Sequence, residues 1–513
     1  MSWQPGIDEL RRRQAMTARM GGTDKVARHR ASGKLTVRER IAALLDPNTF
    51  HEVGSISGKA AYDARGRLVD LTAANFIFGR GRIDNRRVVV AGDDFTIRGG
   101  AADAKIPGKV ELAEQMAGEL RLPMVRLIDA SGGSVRTVET IGRTYLPANA
   151  GWDFVVRNLE TVPVVSLVLG SVAGLPAARA VTAHYTVMVR GTSYMFIAGP
   201  PVVERVGRKV SKDELGGPDV HARSGATDEV VDSEAEAFAC ARRFLSYLPN
   251  SVWELPPRIA CDDPPTRRES RLIDAVPTDR RKVYRMRDIL GDVLDRNSFF
   301  EMGRMFGRPV ITGLARLDGW PVAVLASDPY FYGGAWTAGA SSKVARFVDF
   351  AETFHLPVVH FVDIPGFVIG PDSEQAGTIR VGSRALAAVY QATVPWCSIV
   401  VRKCFGVAGS AHTHHARLRY RYAWPSGDWG SIPPEGGIEA AYRADLEAAT
   451  DRAALLTDIN NRLEGLRSPF RTAEAFGVEE IIDPRDTRSL LCEFADIASK
   501  LVRPEPARVQ YRP

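Results

Sequence analysis

The stretch "LPMVRLIDASGGS", residues 122–134, recurs in altered form as "LPVVHFVDIPGFV", residues 356–368. In both stretches Leu-Pro opens a short apolar run, the run contains Asp129 or Asp363 near its end, and a Gly-bearing turn follows. A short apolar run bounded by turn residues is typical of a strand that is buried on both faces. The pattern therefore predicts one strand-and-turn unit that the chain uses twice.

Further landmarks recur in the same order at a nearly constant offset. The pair Gly99–Gly100 returns 234 residues later as Gly333–Gly334, the same offset that separates the two Leu-Pro runs. The run "VPVVSLV" at 162–168 returns 232 residues later as "VPWCSIV" at 394–400. A period this long exceeds that of solenoid repeats. We interpret it as an internal duplication of one whole domain.

Each copy alternates short apolar runs with amphipathic segments. "RRVVVAGDD" and "WPVAVLASD" have the pattern of strands, whereas "KVELAEQMAGEL" and "KVARFVDFAETF" carry apolar residues at helical spacing. Strands that are apolar throughout and alternate with helices predict a mainly parallel sheet covered on both faces. The predicted fold class is α/β, in two tandem domains.

The Pro-rich stretch 254–270 is the predicted linker and divides the chain into domains at 1–258 and 259–513. The first 50 or so residues have a helical pattern, which predicts a helical N-terminal extension of the first domain. A long helical region from Glu439 to Leu466 is expected to close the second.

The composition is that of an ordinary globular protein. Of its 513 residues, 45% are hydrophobic and 25% charged, and the net charge of +6 is spread along the chain. Binding of nucleic acid would need a concentrated basic stripe with interleaved aromatic residues, so we expect no nucleic-acid partner. A mild positive excess suits an anionic small molecule, although a solvated basic surface explains it equally well.

The five dispersed cysteines form no C-x-x-C motif, which indicates reduced thiols rather than disulfides or a zinc ribbon. The N-terminus lacks the apolar core of a signal peptide. Residues 161–178 carry no charge, but their prolines and glycines favour a buried strand and turn over a membrane span. We therefore expect a cytoplasmic protein without a membrane partner.

Two turns in each copy are the strongest candidates for function. One follows the Leu-Pro strand, and the other follows the Val-Pro strand as "GSVAGLPAARA" (170–180) or "RKCFGVAGSAH" (402–412). A glycine between a buried strand and a helix can direct backbone N–H groups outward, and such donors stabilise an oxyanion without a catalytic side chain. The alternative is a tight strand–helix turn with no chemical role.

Other candidates carry less information. "HTHH", His412 to His415, has no nearby Cys or carboxylate, so we predict no metal site. The hydroxyls of Ser131, Ser134 and Ser410 lack a nucleophile motif and fit turn or capping roles. Lys105 and Lys109 fit equally well as phosphate contacts or as ordinary helix-surface lysines.

Taken together, the segments resemble the carboxyltransferase (beta) subunit of biotin-dependent acyl-CoA carboxylases, the propionyl-CoA and methylcrotonyl-CoA carboxylase family. The resemblance begins near residue 24 and spans nearly the whole remaining chain. Its pieces are "RHRASGKLTVRERIAALLDPNTFHEVG", "AGDDFTIRGG", "GTSYMFIAGPPVVERV", "DELGGPDVHARSGATDEVVDSEAEAF", "SSKVARFVDFAETFHLPVVHFVDIPGF", "YAWP" and "PFRTAEAFGVEEIIDPRDTR".

The resemblance implies two crotonase-like domains of the ClpP/crotonase β-β-α superhelix type. It also implies a homo-oligomer, usually a hexamer, in which acyl-CoA lies on the N-terminal domain and biotin on the C-terminal domain. The implied enzyme transfers a carboxyl group from carboxybiotin, held on a separate biotin carboxyl carrier subunit that works with a biotin carboxylase, to the enolate of an acyl-CoA. No metal is implied in this subunit, and biotin itself serves as the base.

Site residues follow from the resemblance by position. The implied oxyanion donors are Gly174 and Leu175 in the first copy and Val407 and Ala408 in the second. The implied ligand-binding residues are Gly99, Gly100, Ser131, Gly132 and Gly133 on the CoA side, and Gly366, Phe367 and Gly406 on the biotin side. The family usually has glycine at positions 175 and 407 and one residue fewer near Ala130, so substrate preference is to be sought there.

Two alternatives remain open at this stage. One is the carboxyltransferase component of a biotin-dependent acyl-CoA decarboxylase, which runs the same chemistry in reverse. The other is a catalytically weak paralogue that binds CoA or acts as a scaffold, as the altered turns suggest. Direct assay of carboxyl loss from CoA esters distinguishes the enzymes from the scaffold.

Overall fold

The structure is a computed structural model that describes residues 2–414 and 418–513, apart from the side chain of residue 140. Over these residues the chain divides into two compact units, residues 2–254 with Pro513 and Leu255–Arg512. The division falls at the start of the Pro-rich stretch 254–270.

The first unit is mixed α/β. Its strands are β1 (His51–Val53), β2 (Gly58–Tyr62), β3 (Leu68–Ala73), β4 (Phe76–Ile83), β5 (Arg86–Asp93), β6 (Met124–Ile128), β7 (Val164–Val168), β8 (Ser171–Ala173), β9 (Tyr185–Val189), β10 (Tyr194–Phe196) and β11 (Glu229–Val231). Its helices are α1 (Gln4–Ala18), α2 (Thr23–Ala31), α3 (Val37–Leu44), α4 (Lys109–Leu120), α5 (Arg136–Ile141), α6 (Trp152–Thr161), α7 (Leu175–Val181), α8 (Pro200–Glu204), α9 (Lys212–Gly216), α10 (Pro218–Ser224) and α11 (Glu234–Ser246), with 3-10 turns at Arg98–Gly100 and Ala102–Ala104.

The main sheet of this unit has the strand order β1-β4-β5-β6-β7-β9-β11. Strands β1, β4 and β5 pair antiparallel, and from β5 onward each neighbour is parallel. Every residue of β6, β7 and β9 is buried, as expected for strands covered by helices on both faces. Parallel strands end at one edge of the sheet, so the turns after β6 and β7 lie side by side.

The second unit has the same kinds of element. Its strands are β12 (Phe300–Met302), β13 (Val310–Leu317), β14 (Trp320–Ser327), β15 (Val358–Ile364), β16 (Trp396–Phe405), β17 (Tyr420–Ala423), β18 (Asp428–Gly430) and β19 (Glu480–Ile481). Its helices are α12 (Met286–Val293), α13 (Ala338–Thr353), α14 (Pro371–Gln375), α15 (Thr378–Gln391), α16 (Gly406–Ser410), α17 (Pro434–Ala441), α18 (Arg443–Ala448), α19 (Arg452–Glu464), α20 (Pro469–Glu474) and α21 (Thr487–Ser499), with 3-10 turns at Ser270–Ile273, Tyr332–Gly334 and Pro484–Asp486.

The second sheet repeats the topology of the first, in the order β12-β13-β14-β15-β16-β17-β19. Again an antiparallel pair, β13 with β14, leads into parallel strands. The backbone repeats in detail, since φ is +63° at Gly99 and +61° at the corresponding Gly333. These correspondences confirm the internal duplication and the α/β fold class that the sequence predicted.

The helical region predicted from Glu439 to Leu466 is interrupted. Ala449 has extended backbone (ψ 135°), and the side chain of Asp451 then caps the next helix by accepting from the Ala454 N–H. The predicted region is therefore helical, but it consists of α17, α18 and α19 in succession. No helix in the described ranges is both long and apolar enough to span a bilayer.

Asp349 on α13 gives this fold a testable dependence on pH. Burial raises the pKa of its carboxyl to about 6, although Arg384 and Arg512 oppose the rise. A carboxyl with a raised pKa stabilises the folded state fully below its unfolded value, and that contribution is lost as pH rises through the folded value. As pH rises from 4 to 6.5, ionisation of Asp349 should therefore lower the free energy of unfolding by about 1–3 kcal/mol at most.

We expect the Asp349→Asn variant to unfold at higher urea than the parent at pH 7.5 and at nearly the same urea at pH 4. The exposed Asp458 on α19 provides the matched control, because an Asn there leaves both midpoints unchanged. An Asp349→Asn variant that is less stable than the parent at pH 7.5 would contradict the assignment.

Candidate active site

Asp129, at the end of β6, fixes the turn that follows it. Its carboxylate is fully buried and lies 3.0 Å from Lys34 Nζ and 3.1 Å from Arg40 Nη1. A side chain on Gly170 would place its Cβ only 1.9 Å from the Asp129 carboxylate. The aspartate therefore acts as a buried structural anchor between the strand end and the next turn.

The Gly99–Gly100 loop and the turn after Asp129 are joined by backbone bonds. The Ser131 N–H donates to Gly99 O at 2.9 Å, and a Cβ on Gly100 would lie 2.8 Å from Asp129 O. The turn after Asp129 therefore lies against the Gly99–Gly100 loop. This brings together the predicted CoA-side residues Gly99, Gly100 and Ser131.

Gly132, in the turn after Asp129, lies against Ala173 of the turn that follows β7. Its φ is +82°, and a Cβ there would lie 2.2 Å from Ala173 O. Only glycine permits both this conformation and this approach. Gly133, by contrast, is exposed with open space around it. The N–H groups of Gly132 and Gly133 have no acceptor within the described ranges.

The turn at Gly174 directs a helix N-terminus outward. Gly174 has φ +64° and ψ −128°, a conformation that is essentially restricted to glycine, and α7 begins at Leu175. The Leu175 N–H finds no acceptor in the part of the chain that the structure describes, and Pro176 has no N–H. Leu175 is 41% exposed, so the start of α7 lies at the surface of the unit.

In one respect this turn differs from the expectation. The Gly174 N–H donates to Phe196 O at 3.2 Å, because β10 pairs with β8 beside it. That donor is therefore occupied. Gly174 contributes its backbone conformation, and the N–H that lacks an acceptor among the described residues is that of Leu175.

Asp363 holds the corresponding strand end in the second unit. Its carboxylate accepts from Arg402 Nη2 at 2.9 Å, from Tyr284 Oη at 2.9 Å and from the Lys403 N–H at 3.0 Å. A Cβ on Gly334 would lie 2.2 Å from Asp363 O. Both aspartates of the repeated pattern are thus buried anchors, with different partners in each copy.

Gly366 and Phe367 form the turn that follows. Gly366 has φ +129°, and its carbonyl accepts from the Trp336 N–H at 3.0 Å. The Phe367 ring packs edge-on against Trp336 and covers Gly382 of α15, where a Cβ would lie 2.3 Å from the ring. A Cβ on Gly366 would lie 4.0 Å from Phe405 O, so this turn lies beside the turn that follows β16.

The turn at Gly406 corresponds to the turn at Gly174. Gly406 has φ +63°, and α16 begins there. The N–H groups of Val407 and Ala408 have no acceptor among the residues that the structure describes. Val407 is half-exposed, as Leu175 is, whereas Ala408 is buried.

A cavity of about 220 Å³ lies beside this turn and is lined by Val400, Cys404, Gly406, Gly409, Ser410, His412, Arg421, Trp429, Gly430, Gly477 and Val478. Burial raises the pKa of the Cys404 thiol to about 12, so the thiol is unsuited to act as a nucleophile. The His412 carbonyl accepts from Trp396 Nε1 at 2.9 Å and from Ser398 Oγ, which fixes the end of the turn.

The weaker candidates have structural roles. Lys109 is buried and donates to Gly54 O at 3.1 Å, and its counterpart Lys343 donates to Val310 O at 2.7 Å. Lys109 is therefore neither a surface lysine nor a free phosphate ligand. Ser410 donates to Val407 O within its own turn. Burial lowers the pKa of Lys105, which stays a candidate phosphate contact.

Of the "HTHH" residues, His415 lies outside the described residues. Over residues 2–414 and 418–513, no three His, Cys, Asp or Glu side chains are grouped as metal ligands would be.

Arg126 is a positioning residue that the sequence did not reveal. This buried β6 residue pairs with Glu114 through bonds of 2.8 and 2.9 Å. Its Nη1 also donates to the carbonyls of Arg179 and Thr182 at the end of α7. The helix that begins at the candidate donor is thereby held at its opposite end.

Comparisons with known proteins agree in the kind of protein they find. The model of the carboxyl transferase domain family matches residues 28–511. A propionyl-CoA carboxylase carboxyltransferase subunit from Haloferax mediterranei is 35% identical over 509 residues, which covers 98% of this chain and 97% of that protein. Methylmalonyl-CoA decarboxylase subunit alpha from Veillonella parvula is 29% identical over 505 residues, covering 97% and 96%.

Among solved structures, a crystal structure of the transcarboxylase 12S hexamer with methylmalonyl-coenzyme A and methylmalonic acid bound superimposes with a TM-score of 0.88. It is 28% identical in sequence, and the match covers 99% of this chain and 98% of that one.

Proposed function

This chain belongs to the carboxyl transferase domain family, and from that membership we propose that its two matched turns hold the two oxyanions of a carboxyl transfer. It is a carboxyltransferase of the propionyl-CoA carboxylase family, and hence an enzyme. Both halves have the crotonase-like fold that the family resemblance implied. The observation that carries the proposal is the match between Gly174 and Gly406, with φ of +64° and +63°, each at the start of a helix whose first free N–H groups lack acceptors.

In the first unit, the turn at Gly174 is assigned to the acyl-CoA thioester. Removal of the α-proton places negative charge on the thioester oxygen, and an N–H that points at this oxygen stabilises the enolate. Leu175 supplies this donor. Gly99–Gly100 and Ser131–Gly133 lie against the same turn and are assigned to the CoA, whose phosphates suit the mild positive charge of the chain.

In the second unit, the turn at Gly406 is assigned to biotin. The unpaired N–H groups of Val407 and Ala408 fit the ureido oxygen, on which negative charge develops when the carboxyl group leaves. When bound, carboxybiotin supplies the carboxyl group and the base, so this chain needs no titratable side chain at the reacting atoms. Gly366 and Phe367 lie beside this turn and are assigned to the biotin side.

We assign acyl-CoA to the domain of residues 1–258 and biotin to the domain of residues 259–513. Carboxybiotin is expected on a separate carrier subunit and is expected to be regenerated by a biotin carboxylase. A hexamer is the expected assembly, since the transcarboxylase 12S structure is a hexamer. We assign the protein to the cytoplasm and expect neither a membrane nor a nucleic-acid partner.

Loss of a carboxyl group from malonyl-type CoA esters in the presence of free biotin tests this function. We expect the purified chain to remove the carboxyl group of methylmalonyl-CoA or a related ester only when biotin is present. The carboxyl group passes to biotin and the ureido proton of biotin passes to the α-carbon of the thioester. Protonation of the carboxybiotin then releases CO2 and regenerates biotin. Reactions that lack biotin, and reactions with heat-denatured protein, are the controls.

Binding of CoA by calorimetry without turnover of any ester would overturn the enzyme reading in favour of a scaffold. Turnover with biotin supports either direction of the reaction. Reconstitution with a biotin carboxylase and ATP then separates a carboxylase, which makes the malonyl-type ester, from a decarboxylase such as the Veillonella relative, which does not.

A further inference from the structure

A cavity of about 560 Å³ lies on the first unit, apart from the candidate active site. Its lining residues are Asn48, Thr49, His51, Arg80, Gly81, Arg82, Arg87, Leu120 and Leu122. The lining thus contains three arginines and a histidine but no carboxylate, and its volume falls in the range of small-molecule sites, roughly 300–1,000 Å³.

The strand register places the four basic residues on one face. His51 of β1 is opposite Arg80 of β4, and Arg82 of β4 is opposite Arg87 of β5. Side chains two residues apart on a strand share a face, so all four project to the same side. Like charges directly opposite each other are destabilising in an antiparallel pair. A bound anion would relieve this repulsion.

The arginines that line the cavity make fewer hydrogen bonds than the neighbouring Arg86. The Arg86 guanidinium, on the opposite face, donates to Asn250 Oδ1 at 2.7 Å and to two backbone carbonyls, and burial lowers its pKa to about 10. Arg82 donates once, to Asn85 O at 2.8 Å. The guanidinium groups of Arg80 and Arg87 have neither an ion-pair partner nor an acceptor in the described part of the chain.

Within the first unit, the cavity lies at the end of the sheet opposite the candidate turns of that unit. Arg87 is near the start of β5, and the Gly99–Gly100 loop follows the end of that strand at Asp93. Six residues of extended strand separate Arg87 from Asp93, a distance of roughly 20 Å. The basic cavity is therefore not part of the site assigned to CoA.

We propose that this cavity binds a small organic phosphate, with Arg80 and Arg87 holding the phosphate and Leu120 and Leu122 contacting the apolar part of the ligand. The planar guanidinium forms paired hydrogen bonds with phosphate oxygens, which is why arginine is favoured at such sites. The two leucines, at the end of α4 and just before β6, line the same cavity and supply apolar contacts. Such a ligand would bind without touching the reacting atoms.

Calorimetry on the full chain without CoA tests the proposal, because CoA is itself an organic phosphate and would compete for the cavity. The arginine variant separates the two places of binding, because Arg87 lies roughly 20 Å along β5 from the Gly99–Gly100 loop. We expect ADP to bind more tightly than pyrophosphate, and adenosine not to bind. The Arg80→Gln/Arg87→Gln double variant should lose at least tenfold in affinity for ADP, whereas Arg65→Gln, which removes an exposed arginine in the turn between β2 and β3, should stay within twofold.

Three results would overturn the proposal. They are absence of ADP binding at millimolar concentration, equal affinity of the double variant and the parent, and binding of a poly-glutamate peptide in place of ADP with the same dependence on Arg80 and Arg87. The last result would assign the surface to a protein partner. None of these measurements depends on carboxyl transfer, so failure here is separable from failure of the proposed function.

Discussion

The Asp129→Asn variant is expected to lower the free energy of unfolding of the first unit by about 3–5 kcal/mol, because removal of one partner leaves buried charge uncompensated. The Asp129 carboxylate is fully buried, and Lys34 Nζ and Arg40 Nη1 both contact it. Arg40 keeps a second partner in Glu234 at 2.7 Å, but the described residues offer Lys34 no other carboxylate. An amide has nearly the same shape as the carboxylate, so the loss reports charge rather than packing.

Urea unfolding combined with hydrogen exchange measures this effect. Exchange should quicken across β6 and the first sheet and stay unchanged in the second sheet. The matched control is Asp219→Asn, since Asp219 forms an exposed ion pair with Arg190, whose loss should cost less than about 1 kcal/mol. An Asp129 variant that resembled this control would show that the buried pairs contribute little.

The two aspartates also show what the sequence could and could not predict. The position of each is encoded locally, because a short apolar run that meets Asp and a glycine turn specifies a buried strand end. Their partners are not, because Lys34 and Arg40 lie 95 and 89 residues from Asp129, and no periodicity connects them. The second copy uses Arg402 and Tyr284 instead, so even the duplication does not transfer the partners.

In the candidate site, too, the sequence encodes some features locally and leaves others unspecified. The spacing of the repeat predicted that Gly174 and Gly406 occupy corresponding turns, and the structure gives the two glycines matching positive φ angles. Which N–H is free could not be predicted, since the donor at Gly174 is occupied through a pairing of β8 with β10 that leaves no local signal. The basic cavity was missed because its cations are distributed over three short strands, and only the register aligns them.

The Gly174→Ala variant is expected to reduce kcat/KM for biotin-dependent carboxyl loss by about 10²–10³-fold, which is the cost of losing one oxyanion donor. Gly174 has φ +64° and ψ −128°, and no atom lies within 4 Å of the position a Cβ would take. The methyl group therefore meets no steric obstacle, and the change acts through the backbone. A residue with a Cβ avoids this conformation, whose strain is about 1–3 kcal/mol. Relaxation of the turn redirects the Leu175 N–H away from the thioester oxygen.

Gly66→Ala separates this effect from general loss of stability. Gly66 also has positive φ (+74°) and open space around it, but it lies in the turn between β2 and β3. Both variants should lose a comparable amount of stability, and only Gly174→Ala should lose activity. Because the lost interaction strengthens as charge develops on the oxygen, the reduction should appear in kcat while the affinity for CoA stays near that of the parent. A Gly174→Ala enzyme with parental kcat would show that the Leu175 N–H does not hold the enolate, and the oxyanion assignment in the first unit would then have to move to the free N–H groups of Gly132 and Gly133.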